Sequence, residues 1–317
     1  MASTPTAPSW RRMQVPRPLQ QLFDRFPLRT YAANDLPERS HHLTSSDLPT
    51  LYVFSTEPDA RLGLPSFNPA CLKWQTLLRL AGLEFRILPS TNHASPTGSL
   101  PFLLPPRTST NTTTTTTTAP PLPIPASNLL TYAARQHTSA AAPDLDPDLP
   151  ARSQVYLSLI TLSLRNAWLH ALYLDPSNTA LLQRLYIRPA SSSRGVQATL
   201  LCQLRRAAAE QIANTSSSMV LSTAAASSAD AVDEEAVYAA ARDALGALAS
   251  LLGESETGWF FGAEGPGVFD ASLFSYTHLM MEFMDGGALS AAAEGGMGTG
   301  GLGRMLANWL DDVDLTA

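Results

Sequence analysis

The residues best placed to do chemistry stand together early in the chain. Ser66 and Cys71 bracket Asn68-Pro69, a pair that reads as the N-cap and first position of a helix. Near such a terminus the unpaired amides and the helix dipole favour an anion and lower a thiol's pKa, which is what a nucleophilic or thiolate-stabilising residue needs. Cys71, however, falls about one turn inside the helix on a face that also carries bulky side chains, so capping and packing roles compete with chemistry for both residues. Cys71 and Cys202 are far apart, form no CxxC pair and are both expected to be small core hydrophobes in a reducing compartment. The histidines, His41, His42, His93, His137, His170 and His278, lack metal-ligand spacing. No GxSxG, HExxH or phosphate-cradling glycine loop is present, and the glycine-rich stretch 295–303 has no strand before it. Asp311, Asp312 and Asp314 read as a solvated tail.

The elements that must position Ser66 and Cys71 form an α/β pattern. Residues 51–54, Leu-Tyr-Val-Phe, are a short β run. The helix opened by Asn68 and Pro69 continues to Ala81, with Ala70, Trp74, Leu77, Leu78 and Ala81 on its apolar face, Lys73, Thr76 and Arg79 on the other side, and Gly82 to end it. A second strand at 84–88 completes a βαβ unit with a parallel pair. A third apolar run ends at Leu104, and its Pro101 stands at the strand's start, where a proline is tolerated and a cis bond is plausible. Residues 122–125 are expected to be an edge strand, and Ser127 to cap a helix through Leu129, Leu130 and Ala133. The domain therefore spans 51–142. Its segment 107–120, which holds a threonine tract, has nothing to bury and is expected to be a disordered insertion.

After an Asp/Pro-rich linker the pattern turns helical, giving a second, all-α domain over 151–317. In 154–174 only Gln154, Ser158, Thr161 and Arg165 form a polar stripe, so this helix must be buried on most sides. Further helices are expected at 178–188, 195–213 and 231–252, with a second disordered insertion at 214–229. The last strong element, 270–284, is apolar apart from Glu282, and its methionines read as core filling. Gly267 and Asp270 can form a variant capping box, the acid reaching back to the Gly267 amide. No internal repeat is visible.

Composition excludes several functions. The 317 residues carry a net charge of -6 and Lys73 is the only lysine, so nucleic-acid binding through a basic surface is not expected. The 154–174 stretch is interrupted by Arg165, Asn166 and His170 and makes a poor membrane span. Residues 1–50 form an extended, Pro-rich arm that gathers Arg11, Arg12, Arg17, Arg25 and Arg29 beside the single acid Asp24 among its first thirty residues. Its prolines disfavour the long amphipathic helix of a mitochondrial presequence, so it is expected to be retained. Trp10, Phe23 and Phe26 are candidate apolar anchors, with Arg11, Arg12 and Arg29 at the rim. They pack either on the chain's own domain or on a partner and anionic headgroups.

Residues 64–75 (Leu-Pro-Ser-Phe-Asn-Pro-Ala-Cys-Leu-Lys-Trp-Gln), 81–85 (Ala-Gly-Leu-Glu-Phe) and 93–101 (His-Ala-Ser-Pro-Thr-Gly-Ser-Leu-Pro) resemble the first domain of metaxins. Trp-Phe-Phe-Gly at 259–262, followed by Phe-Asp-Ala-Ser-Leu-Phe at 269–274, is similar to that family's second-domain element. Pro16-Arg-Pro-Leu19 and Phe26-Pro-Leu28 resemble the arm of its fungal peripheral members. The resemblance implies a glutathione-transferase-like fold, with a thioredoxin-like N-terminal domain and a helical C-terminal domain. It further implies a non-catalytic, cofactor-free subunit of the sorting and assembly machinery (SAM complex), peripheral on the cytosolic face of the mitochondrial outer membrane. There it would receive β-barrel precursors beside a barrel-forming insertase subunit and a second metaxin-like subunit. Gly267, where that family has Ser or Thr, and the threonine tract depart from the pattern. The alternative is an active glutathione transferase. That chemistry needs a Tyr, Ser or Cys at the first helix's start and an acid-serine pair, and Ser127 follows Ala126 in place of an acid.

Overall fold

A computed structural model describes residues 48–106, 122–136, 151–219, 232–263 and 265–283, together with residues 17, 18, 21 and 25. Four strands, β1 (Thr50–Val53), β2 (Arg86–Pro89), β3 (Phe102–Leu104) and β4 (Ile124–Pro125), form one sheet in the order β2-β1-β3-β4. β1 and β2 are parallel, while β3 runs antiparallel to both β1 and β4. This is the arrangement expected when a βαβ crossover is followed by a hairpin partner. Thr50 belongs to β1, so the first domain begins one residue inside the expected arm, and β4 is shorter than the run 122–125.

Helix α1 (Glu57–Arg61) follows β1 and is capped by Thr56, which accepts from Asp59 N–H. Helix α2 (Pro69–Leu80) starts as the sequence predicts: Asn68 Oδ1 accepts from the amides of Ala70 (3.1 Å) and Cys71 (3.3 Å), with Pro69 at the first position. It ends in a Schellman turn. Gly82 takes φ +71° and donates to Arg79 O, and Leu83 N–H reaches Leu78 O, satisfying carbonyls that the helix leaves open. The single apolar face expected of α2 is corrected. Thr76 and Gln75 are fully buried and Ala70 is exposed. The reason is that α2 is sandwiched: Cys71 and Leu78 pack with the sheet, and Leu72 and Leu77 belong to the core of the helical half.

Helix α3 (Ala126–Gln136) begins directly after β4, so Ser127 lies inside its first turn. Its hydroxyl bonds the neighbouring Asn128 side chain at 3.4 Å and does not cap the helix. The spine of the helical half is α4, four segments Ala151–Ser158, Leu159–Leu164, Arg165–Leu169 and His170–Leu174 that follow one another without a gap, the second and fourth wound as wider π-turns. Gln154, Thr161 and Arg165 are exposed on it, and Asn166 and His170 are buried. Helix α5 (Thr179–Leu182) continues through a π-turn, Gln183–Ile187; α6 is Arg194–Met219, α7 Glu234–Gly253 and α8 Val268–Phe283. Helix α6 runs six residues into the expected insertion 214–229. Thr215 explains the extension: its hydroxyl bonds back to Gln211 O and Ile212 O and pairs with the Asn166 side chain of α4 at 2.9 Å. Segment 107–120 and the remainder of 214–229 lie outside the described residues.

Candidate functional site

The loop from α1 into α2 is held by side chains that bond chiefly to backbone. Ser66, fully buried, donates its hydroxyl to Phe54 O at 2.6 Å and accepts from Asn68 N–H at 3.2 Å. Its own amide donates to Gln75 Oε1 (2.9 Å), while Gln75 Nε2 donates to Leu64 O (3.0 Å). The Ser66 hydroxyl is therefore committed within the loop. Cys71 is also fully buried, and burial pushes its thiol up to about 12, outweighing the favourable hydrogen bonds from the Phe54 backbone and Ser66. Loss of hydration of the thiolate thus defeats the helix-terminus effect.

The helical half closes the same place from the other side. Asn68 Nδ2 donates to Tyr186 Oη at 3.1 Å, joining residues 118 positions apart. The Tyr186 ring meets Phe54 (5.3 Å between centroids), Phe67 (5.1 Å, edge-on) and Tyr173 (6.0 Å). Burial raises the pKa of Tyr186 well above its ordinary value and raises that of Tyr173, with a hydrogen bond from Tyr186 easing the latter. Both phenols stay protonated at neutral pH and serve as neutral links. An aromatic cluster and a spent cap occupy the mouth of α2, where an anion would have to bind.

The other motif blocks are also structural. In the entry to β3, Gly98 adopts φ +76°, Leu100 N–H donates to Asn92 Oδ1 at 3.0 Å, and the Leu100-Pro101 bond is cis. At the start of α8, buried Asp270 accepts from Gly267 N–H (2.9 Å), as the capping-box reading predicts, and from Phe260 N–H (3.3 Å). The second bond was not legible from spacing. It ties the cap to the 259–262 turn, in which Phe261 takes φ +62° and packs edge-on against Phe269 at 5.0 Å.

The arm residues Trp10, Arg11, Arg12, Phe23, Phe26 and Arg29 lie outside the described residues; of the first 47 residues only Arg17, Pro18, Gln21 and Arg25 are described, all exposed. Cys202 is exposed on α6, which corrects its reading as a core residue. No group of three or more His, Cys, Asp or Glu that could hold a metal ion occurs among the described residues. β4 is the last strand in the sheet order and leaves an edge to which a further strand could add. Phe102 faces Pro125 and Leu103 faces Ile124. Since Pro125 has no N–H, Ile124 must make the inward bonds, and the outward positions are Pro123 and Pro125. That edge offers an incoming strand no donor.

The sequence pattern of the family described as "Glutathione S-transferase N-terminal domain" matches residues 69–178, from the first turn of α2 through the spine to just past its end. The fold is glutathione-transferase-like. Solved structures similar to it include a glutathione S-transferase of Ceriporiopsis subvermispora in complex with glutathione, at 12% identity and TM-score 0.46, over 83% of this chain and 97% of that one. A glutathione transferase family member from Pseudomonas fluorescens, solved with two glutathione molecules bound, shares 13% identity at TM-score 0.44 over 85% of this chain and 91% of that one. Glutathione transferase F7 of Populus trichocarpa shares 12% at TM-score 0.41, over 84% and 92%. No curated protein matches the chain.

Proposed function

We propose that this chain is a non-catalytic, metaxin-like subunit of the machinery that assembles β-barrel proteins in the mitochondrial outer membrane. In this reading it sits peripherally on the cytosolic face beside the barrel-forming insertase subunit and a second metaxin-like subunit, and helps to receive precursors. The observation that carries the non-catalytic part is the closed turn at α2: a committed Ser66 hydroxyl, a Cys71 thiol pushed up to about 12, and an Asn68–Tyr186 bond across the mouth. The motif blocks at 64–101 and 259–274 support the family reading. No helix among the described residues is long and apolar enough to cross a membrane.

Calorimetric titration with glutathione tests the first part: micromolar affinity, or conjugating activity lost in Cys71→Ala or Ser66→Ala, overturns it in favour of a transferase. Affinity purification from mitochondrial outer membranes tests the second. Co-purification with the barrel subunit, reduced by deleting residues 1–31, is the expected result. Absence of that subunit from the eluate refutes the assembly role, and recovery undiminished by the deletion refutes the arm as its contact.

A further inference from the structure

Outside the α2 turn, a groove of about 680 Å³ opens between the end of α4 and one face of α6. Its apolar lining is Leu174, Ala198, Leu201 and Ala209, and its polar lining is Cys202, Arg205 and the Arg206–Glu210 pair. Residues 198, 201, 202, 205 and 209 recur at helical spacing, so one stripe of α6 supplies most of the wall. The volume lies in the range of small-molecule sites.

Arg205 gives the groove its chemistry. Its Nε donates to Tyr173 O at 3.0 Å and its Nη2 to Thr179 Oγ1 at 2.6 Å, so two neutral acceptors fix the plane of the guanidinium. Among the described residues it has no carboxylate partner. Two of its five N–H donors are spent, leaving the Nη1 side of the fork for a ligand. A planar fork of fixed aim suits the paired oxygens of a phosphate or carboxylate. Glu210, the carboxylate among the described lining residues, pairs with Arg206 at 2.7 Å, and both side chains are largely exposed, so this pair forms a rim that does not cancel Arg205.

An uncompensated cation beside Leu and Ala walls calls for a ligand that brings an anion and apolar surface together. Inorganic phosphate would leave the apolar wall wet, whereas an acyl chain would cover it. The walls are helical, their backbone groups turned into helix bonds, so they offer no row of donors and acceptors to an extended peptide. We infer that the groove docks an anionic phospholipid, its headgroup phosphate on Arg205 and an acyl chain along Leu174, Leu201 and Ala209. This inference stands independently of the barrel-assembly reading.

The exposed Cys202 thiol reports occupancy directly, because a bound lipid shields it from alkylation. The full chain is incubated with dihexanoyl phosphatidic acid below its micelle concentration, and the rate of Cys202 alkylation is followed by intact-mass spectrometry. Parallel arms use dihexanoyl phosphatidylcholine and inorganic phosphate, and the variants Arg205→Gln and Ala209→Trp, each checked for native circular dichroism. Near ten times the Kd the unshielded fraction falls to roughly one tenth, so alkylation should slow about tenfold with phosphatidic acid. It should slow much less with the zwitterionic lipid and not at all with phosphate. Arg205→Gln should abolish the shielding by removing the anion contact, and Ala209→Trp by filling the groove. Shielding absent in the wild-type chain, produced by phosphate alone, or unchanged in Ala209→Trp overturns the inference.

Discussion

Replacing Asp270 by alanine should be among the most destabilising single changes of a polar residue in the described motif blocks. The carboxylate is buried and accepts two backbone hydrogen bonds, from Gly267 at 2.9 Å and Phe260 at 3.3 Å. Hydrogen bonds to a charged acceptor contribute about 1.5–3 kcal/mol, and a buried donor left without an acceptor costs about 1–3 kcal/mol. Two amides would be orphaned, one at the start of α8 and one in a turn that already holds Phe261 at φ +62°. A loss of about 3–5 kcal/mol follows, large against the 5–15 kcal/mol typical of a domain. Asp270→Asn keeps one acceptor oxygen and presents an amide to the other N–H, so it should lose roughly half as much. Urea unfolding followed by tryptophan fluorescence suits the test, because Trp259 adjoins the tethered turn and is nearly buried. A loss below about 1 kcal/mol in Asp270→Ala, or Asp270→Asn as damaging as alanine, would refute the assignment of Asp270 as the double tether.

Further tests reach the other parts of the molecule. Asn68→Ala removes a helix cap and the bond to Tyr186 together and should cost about 2 kcal/mol, whereas Tyr186→Phe should lose only the inter-half part; equal losses would show that the cap contributes nothing. With its thiol at about 12, Cys71 is thiolate in roughly one molecule in ten thousand at pH 8, so iodoacetamide should label Cys202 and reach Cys71 only after unfolding; native labelling of Cys71 refutes the burial argument. Burial holds His170 and His278 below the usual histidine value, so as pH falls below about 6.5 the unfolded chain binds protons first and stability declines until the folded-state values are passed. His170→Gln should flatten that acid slope in denaturation curves taken across the range, and an unchanged slope refutes its share. Replacing both Pro123 and Pro125 by valine restores outward donors to the β4 edge and should produce self-association visible by size-exclusion chromatography; a variant that stays at the parent's size refutes the proline block.

What could be read from the sequence was local, and what could not was long-range. Asn68-Pro69 and Gly82 announce the ends of α2 because capping depends on residues within one turn. The Gly267–Asp270 box was legible for the same reason. The burial of Thr76 was not, since periodicity assigns one apolar face to a helix and α2 has neighbours on both sides. Cys202 failed in the opposite direction: a small apolar residue on a long helix carries no sign of which stripe it occupies. The Tyr186 contact with Asn68 spans the two halves of the chain, and neither residue has a local pattern that names the other.

Three of the blocks that carry the family resemblance, with the residues beside them, share a physical character. Ser66 and Gln75 clamp the loop before α2, Asn92 and Gly98 shape the entry to β3, and Asp270 tethers α8 to the 259–262 turn. Each spends a polar side chain on backbone groups that would otherwise be orphaned in buried or tightly turned surroundings. The Ser66 hydroxyl is engaged by Phe54 O and Asn68 N–H, and its hydrogen bond to Cys71 is outweighed by the burial that pushes that thiol up to about 12. The same residues thus secure the fold and close the place where chemistry would occur. If the proposed non-catalytic reading holds, opening a thiolate site there would take more than one substitution, since Ser66, Cys71, Asn68 and Tyr186 surround it from both halves together. On the proposed non-catalytic reading, a role in binding is sought on other surfaces, such as the arm and the Arg205 groove.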